Sequence, residues 1–182
     1  LGYDVPVVHS NFTDVPGIAV VDPKIVSDAP YNAVMGHDDA IALGGKLKPE
    51  VIEIAKYHNI PILVRRSFTP NDKGKFARAF NPQEKGTLIA DCDERDYAKN
   101  PNPDVVGISH KKAGPESHRL VVAGPNIHHN RKVLAGIESA LASVGAVPSV
   151  SMGGINYITY STSGGLEAAQ SAVMAVYRAL FR

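Results

Sequence analysis

Apolar and polar residues alternate with a strand-like period in some segments and a helical period in others. These periods predict the secondary-structure elements of the chain. Short apolar runs at residues 5–9 and 17–21 predict two strands that flank a turn containing Pro16. Residues 60–64 form a continuous apolar run of strand length, which is typical of a strand covered on both faces. The first half of the chain is therefore expected to contain a sheet.

Two helices are predicted between residues 37 and 59. The first has the capping-type residue Asp38 near its start, buries an apolar face, and stops at Gly44 and Gly45. The second starts at Pro49, a residue that suits the first position of a helix, and ends near residue 58. Strand and helix patterns thus alternate in this half.

The second half follows the order strand, helix, strand, strand, helix. Asn130 is expected to cap the first of these helices, and residues 166–180 form the second. A ferredoxin-like βαββαβ unit needs one more strand. Residues 105–109 can fill that place from the N-terminal side.

A polar stretch with two prolines, residues 91–104, is the best linker candidate. We therefore predict one domain over 1–92, a linker over 93–104 and a second domain over 105–182. Residues 68–76 and 80–88 have similar sequences, too short for a repeat architecture. We interpret them as a hairpin-like excursion and assign no function to it. Since the chain begins at Leu1 inside a predicted strand, it is expected to be a piece of something longer.

Composition excludes several classes of protein. The 182 residues are 44% hydrophobic and 20% charged, as is typical of a soluble globular protein, and the net charge is +1 without a long run of one sign. Neither a nucleic acid nor a membrane is therefore an expected partner. Cys92 is the single cysteine, and neither a signal peptide nor an apolar run of membrane-spanning length is present. A cytoplasmic location is expected.

Several motifs, in order, resemble the aspartate kinase family. TDVPGIAVVDPKIV at residues 13–26 resembles the nucleotide-binding segment of amino-acid kinases, and GGKLKP, IPILV and FNPQEKGTLI resemble later segments of aspartate kinases. Residues 124–146 with VSMGGINYITYS are similar to the ACT regulatory module of the same enzymes. The resemblance implies an α/β (α+β) chain, the C-terminal portion of an amino-acid kinase fold followed by a ferredoxin-like ACT domain.

The resemblance also implies a nucleotide site. Thr13 and Asp14 would contact ATP, Lys24 would stand where the family has arginine, and Lys46 would face the phosphates, with Mg²⁺ accompanying ATP. A hydroxyl, a carboxylate and a nearby cation are groups that can hold a nucleotide. This chain departs from the family at Ala19, where the family has tyrosine, and Lys24 lacks the bidentate fork of arginine.

Catalytic residues are not predicted within the chain. The family's KFGGTS-type segment and its aspartate-binding residues belong upstream of TDVPG, so the chain alone is expected to be inactive. The complete enzyme would phosphorylate L-aspartate to 4-phospho-L-aspartate with ATP, the first step of lysine, threonine and methionine synthesis. A separate N-terminal kinase portion is a possible partner.

The ACT resemblance implies a homodimer and an amino-acid effector. Lysine or threonine would bind near residues of two loops: Asn126, Ile127, Gly153, Gly154 and Ile155. The backbone N–H groups of residues 124–130, before a helix N-terminus, suit a carboxylate. No metal is expected at His128 and His129, because adjacent loop residues point apart and no acidic or sulfur partner has ligand spacing.

Two other functions stay open at this point. The chain could be a non-catalytic amino-acid sensor or regulatory subunit that keeps a vestigial kinase lobe and acts through its ACT module. It could instead derive from another amino-acid kinase, such as a glutamate or uridylate kinase relative. The ACT-like second half argues against this last hypothesis.

Overall fold

The computed structural model describes residues 9–13, 16–45, 47–66, 86–146, 149–152 and 156–182. Within these ranges the strands form two four-stranded sheets, one in each half of the chain. No helix in the described ranges combines the length and the apolarity that crossing a bilayer requires.

The first sheet has the strand order β1-β3-β4-β2. Its strands are β1 (His9–Thr13), β2 (Val34–Gly36), β3 (Ile62–Arg66) and β4 (Thr87–Ala90). β1 is parallel to β3 and β2 is parallel to β4, whereas β3 and β4 are antiparallel. The predicted excursion between β3 and β4 lies mostly outside the described residues.

The two helices predicted beside this sheet are confirmed as α1 (His37–Leu43) and α2 (Pro49–Tyr57). Gly44 ends α1 with a φ of 70°, a backbone conformation that favours glycine. The capping role expected of Asp38 is wrong. The Asp39 carboxylate accepts the Gly36 N–H at 3.2 Å, and Asp38 pairs with Lys56 on the surface.

The strand predicted over residues 17–21 is also wrong. Ala19 forms an isolated antiparallel bridge with Tyr31, and the Ile108 N–H donates to the Val20 carbonyl at 2.7 Å. The apolar run is thus buried against the second half of the chain instead of extending a sheet. The strand predicted over residues 5–9 lies outside the described residues except for His9, where β1 begins.

The second sheet is ferredoxin-like and has the order β5-β6-β8-β7, with all neighbours antiparallel. Its strands are β5 (Gly107–Lys112), β6 (Ser117–Ala123), β7 (Ser149–Met152) and β8 (Tyr157–Ser163). Helices α4 (Arg131–Ser143) and α5 (Gly165–Phe181) complete the unit, and Asn130 caps α4 as predicted by accepting the Val133 N–H at 3.1 Å. β5 pairs with β6, which confirms that the segment after the linker supplies the missing strand.

Two hydrophobic cores hold the elements together, and each includes residues from both halves. The core between the second sheet and helices α4 and α5 also contains Val20, Val21 and Val26. The core beneath α1 and α2 also contains Val106 and Ala123. The two halves are therefore packed together through buried apolar surface.

The predicted linker contains ordered structure. Helix α3 (Glu94–Tyr97) lies within it, and the buried Asn100 side chain follows. Asn100 accepts the N–H groups of Ala33 and Val34 at 2.9 and 3.0 Å and donates to the Val34 carbonyl at 2.9 Å. These three bonds attach the segment between the sheets to the start of β2. The domain boundaries stay a prediction.

Candidate functional site

The turn that contains Pro16 and Gly17 is held by a residue distant in sequence. Thr87 at the start of β4 is fully buried, and its hydroxyl accepts the Ile18 N–H and donates to the Asn32 carbonyl, both at 2.7 Å. Gly17 packs directly on this hydroxyl, since a Cβ there would lie 2.7 Å from Thr87 Oγ1. Gly17 of TDVPG therefore lies against Gly86 and Thr87 of GTLI in the fold.

Asp22 organises the turn that presents Lys24. The Asp22 carboxylate accepts the Lys24 N–H at 2.9 Å, and the Asp22 carbonyl accepts the N–H groups of Ile25 and Val26. An aspartate that bonds the backbone two residues on is a common turn device. The Lys24 side chain is exposed, and among the ion pairs found in the described residues none includes it.

This segment lines a cavity of about 430 Å³. Residues 17–25 form one wall, and the end of α1 with Gly44, Gly45 and Leu47 forms another. The third wall is the start of β5, with Ile108, Ser109 and His110. The cavity is mostly apolar, with Asp22 and Lys24 among its polar residues, so its composition suits a ligand with both an apolar part and an anionic part.

The structure describes the predicted nucleotide residues unequally. Lys24 lies at the cavity. Thr13 ends β1, and its side chain lies outside what the structure describes, as do Asp14 and Lys46 entirely. Gly45 and Leu47, the neighbours of Lys46, both line the cavity. Lys24 and the chain on both sides of Lys46 are therefore brought to the same place.

The wall formed by β5 was not predicted from the sequence. The Ser109 hydroxyl donates to the Leu43 carbonyl at 2.9 Å and thereby ties β5 to the end of α1. Burial lowers the pKa of His110, and neighbouring His118 lowers it further, while Asp22 acts in the opposite direction. The neutral form of the His110 ring is therefore favoured. No local pattern in GISHKK indicates this role.

The predicted effector loop, residues 124–130, borders a depression of about 420 Å³. Asn126 is exposed and lines it, whereas the Ile127 side chain is fully buried in the core, so Ile127 can contribute only backbone atoms. The N–H groups of Gly124, His129 and Asn130 are already bonded to backbone carbonyls. Fewer donors are left for a ligand than the loop sequence suggests. Gly153, Gly154 and Ile155 lie outside the described residues.

Neither a reactive cysteine nor a metal site is indicated by the geometry of the described residues. The Cys92 thiol is half-buried and donates to the Ala90 and Met35 carbonyls, and burial raises its pKa to about 11, so it is a poor nucleophile. In the described part of the chain, three or more His, Cys, Asp or Glu residues do not cluster as metal ligands would.

Comparisons with known proteins find similarity to aspartokinases. No family model matches the chain. Over 82 residues it is 32% identical to Aspartokinase 1 and 29% identical to Aspartokinase 2, both of Bacillus subtilis (strain 168). Each match covers 43% of this chain and 20% of the relative.

Solved structures match over almost the whole chain. The crystal structure of Clostridium acetobutylicum aspartate kinase matches with a TM-score of 0.72 at 14% identity, covering 96% of this chain and 54% of that one. E. coli aspartokinase III in complex with aspartate and ADP matches with a TM-score of 0.63 at 16% identity, covering 95% and 52%. The chain thus spans about half the length of these enzymes.

Together, the two sheets, their connection and these likenesses define the class of the chain. It has the C-terminal portion of an amino-acid kinase fold followed by a ferredoxin-like ACT domain. The chain is similar in sequence to aspartokinases over 82 residues and shares the fold of aspartate kinase structures over almost its whole length.

Proposed function

We propose that this chain supplies part of the ATP site and the amino-acid-responsive module of an aspartate kinase. The complete protein would transfer the γ-phosphoryl group of ATP, with Mg²⁺, to the side-chain carboxylate of L-aspartate. The observation that carries this proposal is the 430 Å³ cavity, lined by the residues after TDVPG and by Lys24. The aspartokinase III complex, which holds ADP and aspartate, supports the ligand class.

This part of the ATP site is expected to bind the nucleotide but not to transfer its phosphoryl group. Lys24 would meet a phosphate as a point charge, because a lysine ammonium lacks the planar fork of arginine. The apolar wall would accommodate the base, and Thr13, Asp14 and Lys46 would complete the contacts. Phosphoryl transfer further needs groups around the acceptor carboxylate.

Replacing Lys24 by alanine tests the site. We expect Lys24→Ala to weaken ATP binding about tenfold, because one charge-assisted contact to phosphate is lost. The thermal midpoint of the free chain should stay unchanged, since Lys24 is exposed. Calorimetric titration with MgATP measures the affinity. Lys132→Ala, an exposed lysine on α4, is the matched control and should bind as the wild type does. Equal affinities of the Lys24 and Lys132 variants would contradict the proposal.

The second candidate function, a stand-alone amino-acid sensor, rests on the depression beside residues 124–130. Both functions include an ACT homodimer that binds lysine or threonine near Asn126. We expect either amino acid to raise the thermal midpoint of the chain and light scattering to give a dimer. Stabilisation by the amino acid without any by ATP would favour the sensor. A monomer that neither amino acid stabilises would contradict both forms of the regulatory role.

A further inference from the structure

Tyr31 and Ala19 both line the cavity and lie opposite each other on neighbouring segments of the chain. The two residues form an antiparallel bridge, which is framed by the bonds from Val20 N–H to the Pro30 carbonyl at 3.0 Å and from Asn32 N–H to the Ile18 carbonyl at 2.9 Å. Side chains directly opposite in such a pair share one face, with their Cβ atoms about 5 Å apart. The side chain opposite Tyr31 is therefore only the methyl group of Ala19.

Tyr31 is partly accessible to solvent at the cavity. The residue is 39% exposed, and the ring contacts found in the described part of the chain involve other residues. Tyr97, Tyr160 and Tyr177, in contrast, are buried in the cores. A partly exposed aromatic ring next to an apolar wall is a surface on which a planar ring can stack.

The same cavity provides polar groups at other positions. His110 from β5 lines it and offers one donor and one acceptor when neutral, and Lys24 supplies a positive charge. A ligand with a planar heteroaromatic ring and an anionic group would use all three side chains. A purine nucleotide has both features, whereas an amino acid such as lysine or threonine lacks the ring.

We propose that Tyr31 is the base-stacking residue of this cavity, with the ligand's base lying on the Tyr31 ring. This inference rests on the nucleotide site proposed above and adds a specificity residue to it. Stacking on Tyr31 recognises the base, whereas Lys24 recognises the phosphates. The two contributions can therefore be separated by probes that contain one group without the other.

The test uses the absence of tryptophan from the chain. Tyr31→Trp introduces a single tryptophan at the cavity, and Tyr57→Trp introduces one at a residue of α2 that is 86% exposed and does not line it. We expect ATP to quench the emission of Tyr31→Trp and inorganic tripolyphosphate to leave it unchanged. The emission of Tyr57→Trp should respond to neither probe.

Affinity provides the second readout. Tyr31→Ala should bind ATP about tenfold more weakly, a typical loss for one base–aromatic stack, and should bind tripolyphosphate as the wild type does. Tyr31→Phe should retain ATP affinity, because it keeps the ring. If Tyr31→Ala bound ATP with wild-type affinity, or lost affinity for ATP and tripolyphosphate equally, the role of Tyr31 would be overturned but the nucleotide site would not. A wild-type chain that binds neither probe would overturn the nucleotide site itself and this proposal with it.

Discussion

Replacing Gly124 by alanine is expected to destabilise the chain by about 3 kcal/mol or more, because the added methyl group would meet backbone atoms that cannot rotate away. A Cβ at Gly124 would overlap the Asp104 carbonyl oxygen and lie 2.9 Å from its carbon and 3.0 Å from Val105 Cα. The opposing backbone is itself fixed, since Val105 and Val106 are fully buried and the Val106 N–H bonds the Ala123 carbonyl at 2.9 Å.

Thermal unfolding followed by circular dichroism measures this effect. For a chain of this size a loss of 3 kcal/mol lowers the midpoint by roughly 6–12 °C. Gly136→Ala is the matched control. Its Cβ would approach a terminal methyl group of the Leu180 side chain at 3.3 Å rather than backbone, and alanine is the better helix former within α4. A Gly124→Ala midpoint equal to that of the wild type would show that residues 104–105 can move aside.

The second large effect is expected at the buried pair Asp39 and Tyr97. Both side chains are buried, and the Tyr97 hydroxyl donates to Asp39 Oδ2 at 2.6 Å. Burial raises the pKa of Asp39 from 3.8 to about 6, although the bonds from Tyr97 and Gly36 lower it. The folded chain thus binds more protons than the unfolded chain between about pH 4 and pH 6. The contribution of Asp39 to the free energy of unfolding is therefore greatest below pH 4. It falls by up to about 3 kcal/mol between pH 4 and pH 6 and is constant above pH 6.

Tyr97→Phe removes a hydrogen bond that favours the charged carboxylate. We expect a loss of about 2–3 kcal/mol at pH 8, where Asp39 is ionised, and a loss nearer 1 kcal/mol at pH 5, where most of it is protonated. Urea unfolding at the two pH values measures the difference. Asp39→Asn is the control, since it keeps an acceptor but cannot titrate, and its stability should not fall between pH 4 and pH 6 as that of the wild type does. An equal effect of Tyr97→Phe at both pH values would refute this assignment.

Local patterns predicted most of the regular elements. Helices α1, α2, α4 and α5 follow from apolar periodicity and from Pro49, Asn130 and the glycines at helix ends. These signals act within a few residues of one another, so the sequence expresses them directly. The short strand β2 was missed because three residues are too few to show a period. Helix α3 was missed because its four residues are too few to show a period and lie in a polar stretch.

The sequence by itself determined the resemblance to aspartate kinases, the four longer helices and the position of Lys24 after a turn. Only the tertiary structure decided what surrounds these residues. Thr87 holds the turn at Gly17, Tyr31 faces Ala19, and β5 closes the cavity with His110. Such contacts join residues far apart in the chain, and their partners are chosen by how two cores and two sheets pack. Because a period or a cap reports only on neighbouring residues, no local pattern could have placed these side chains at one site.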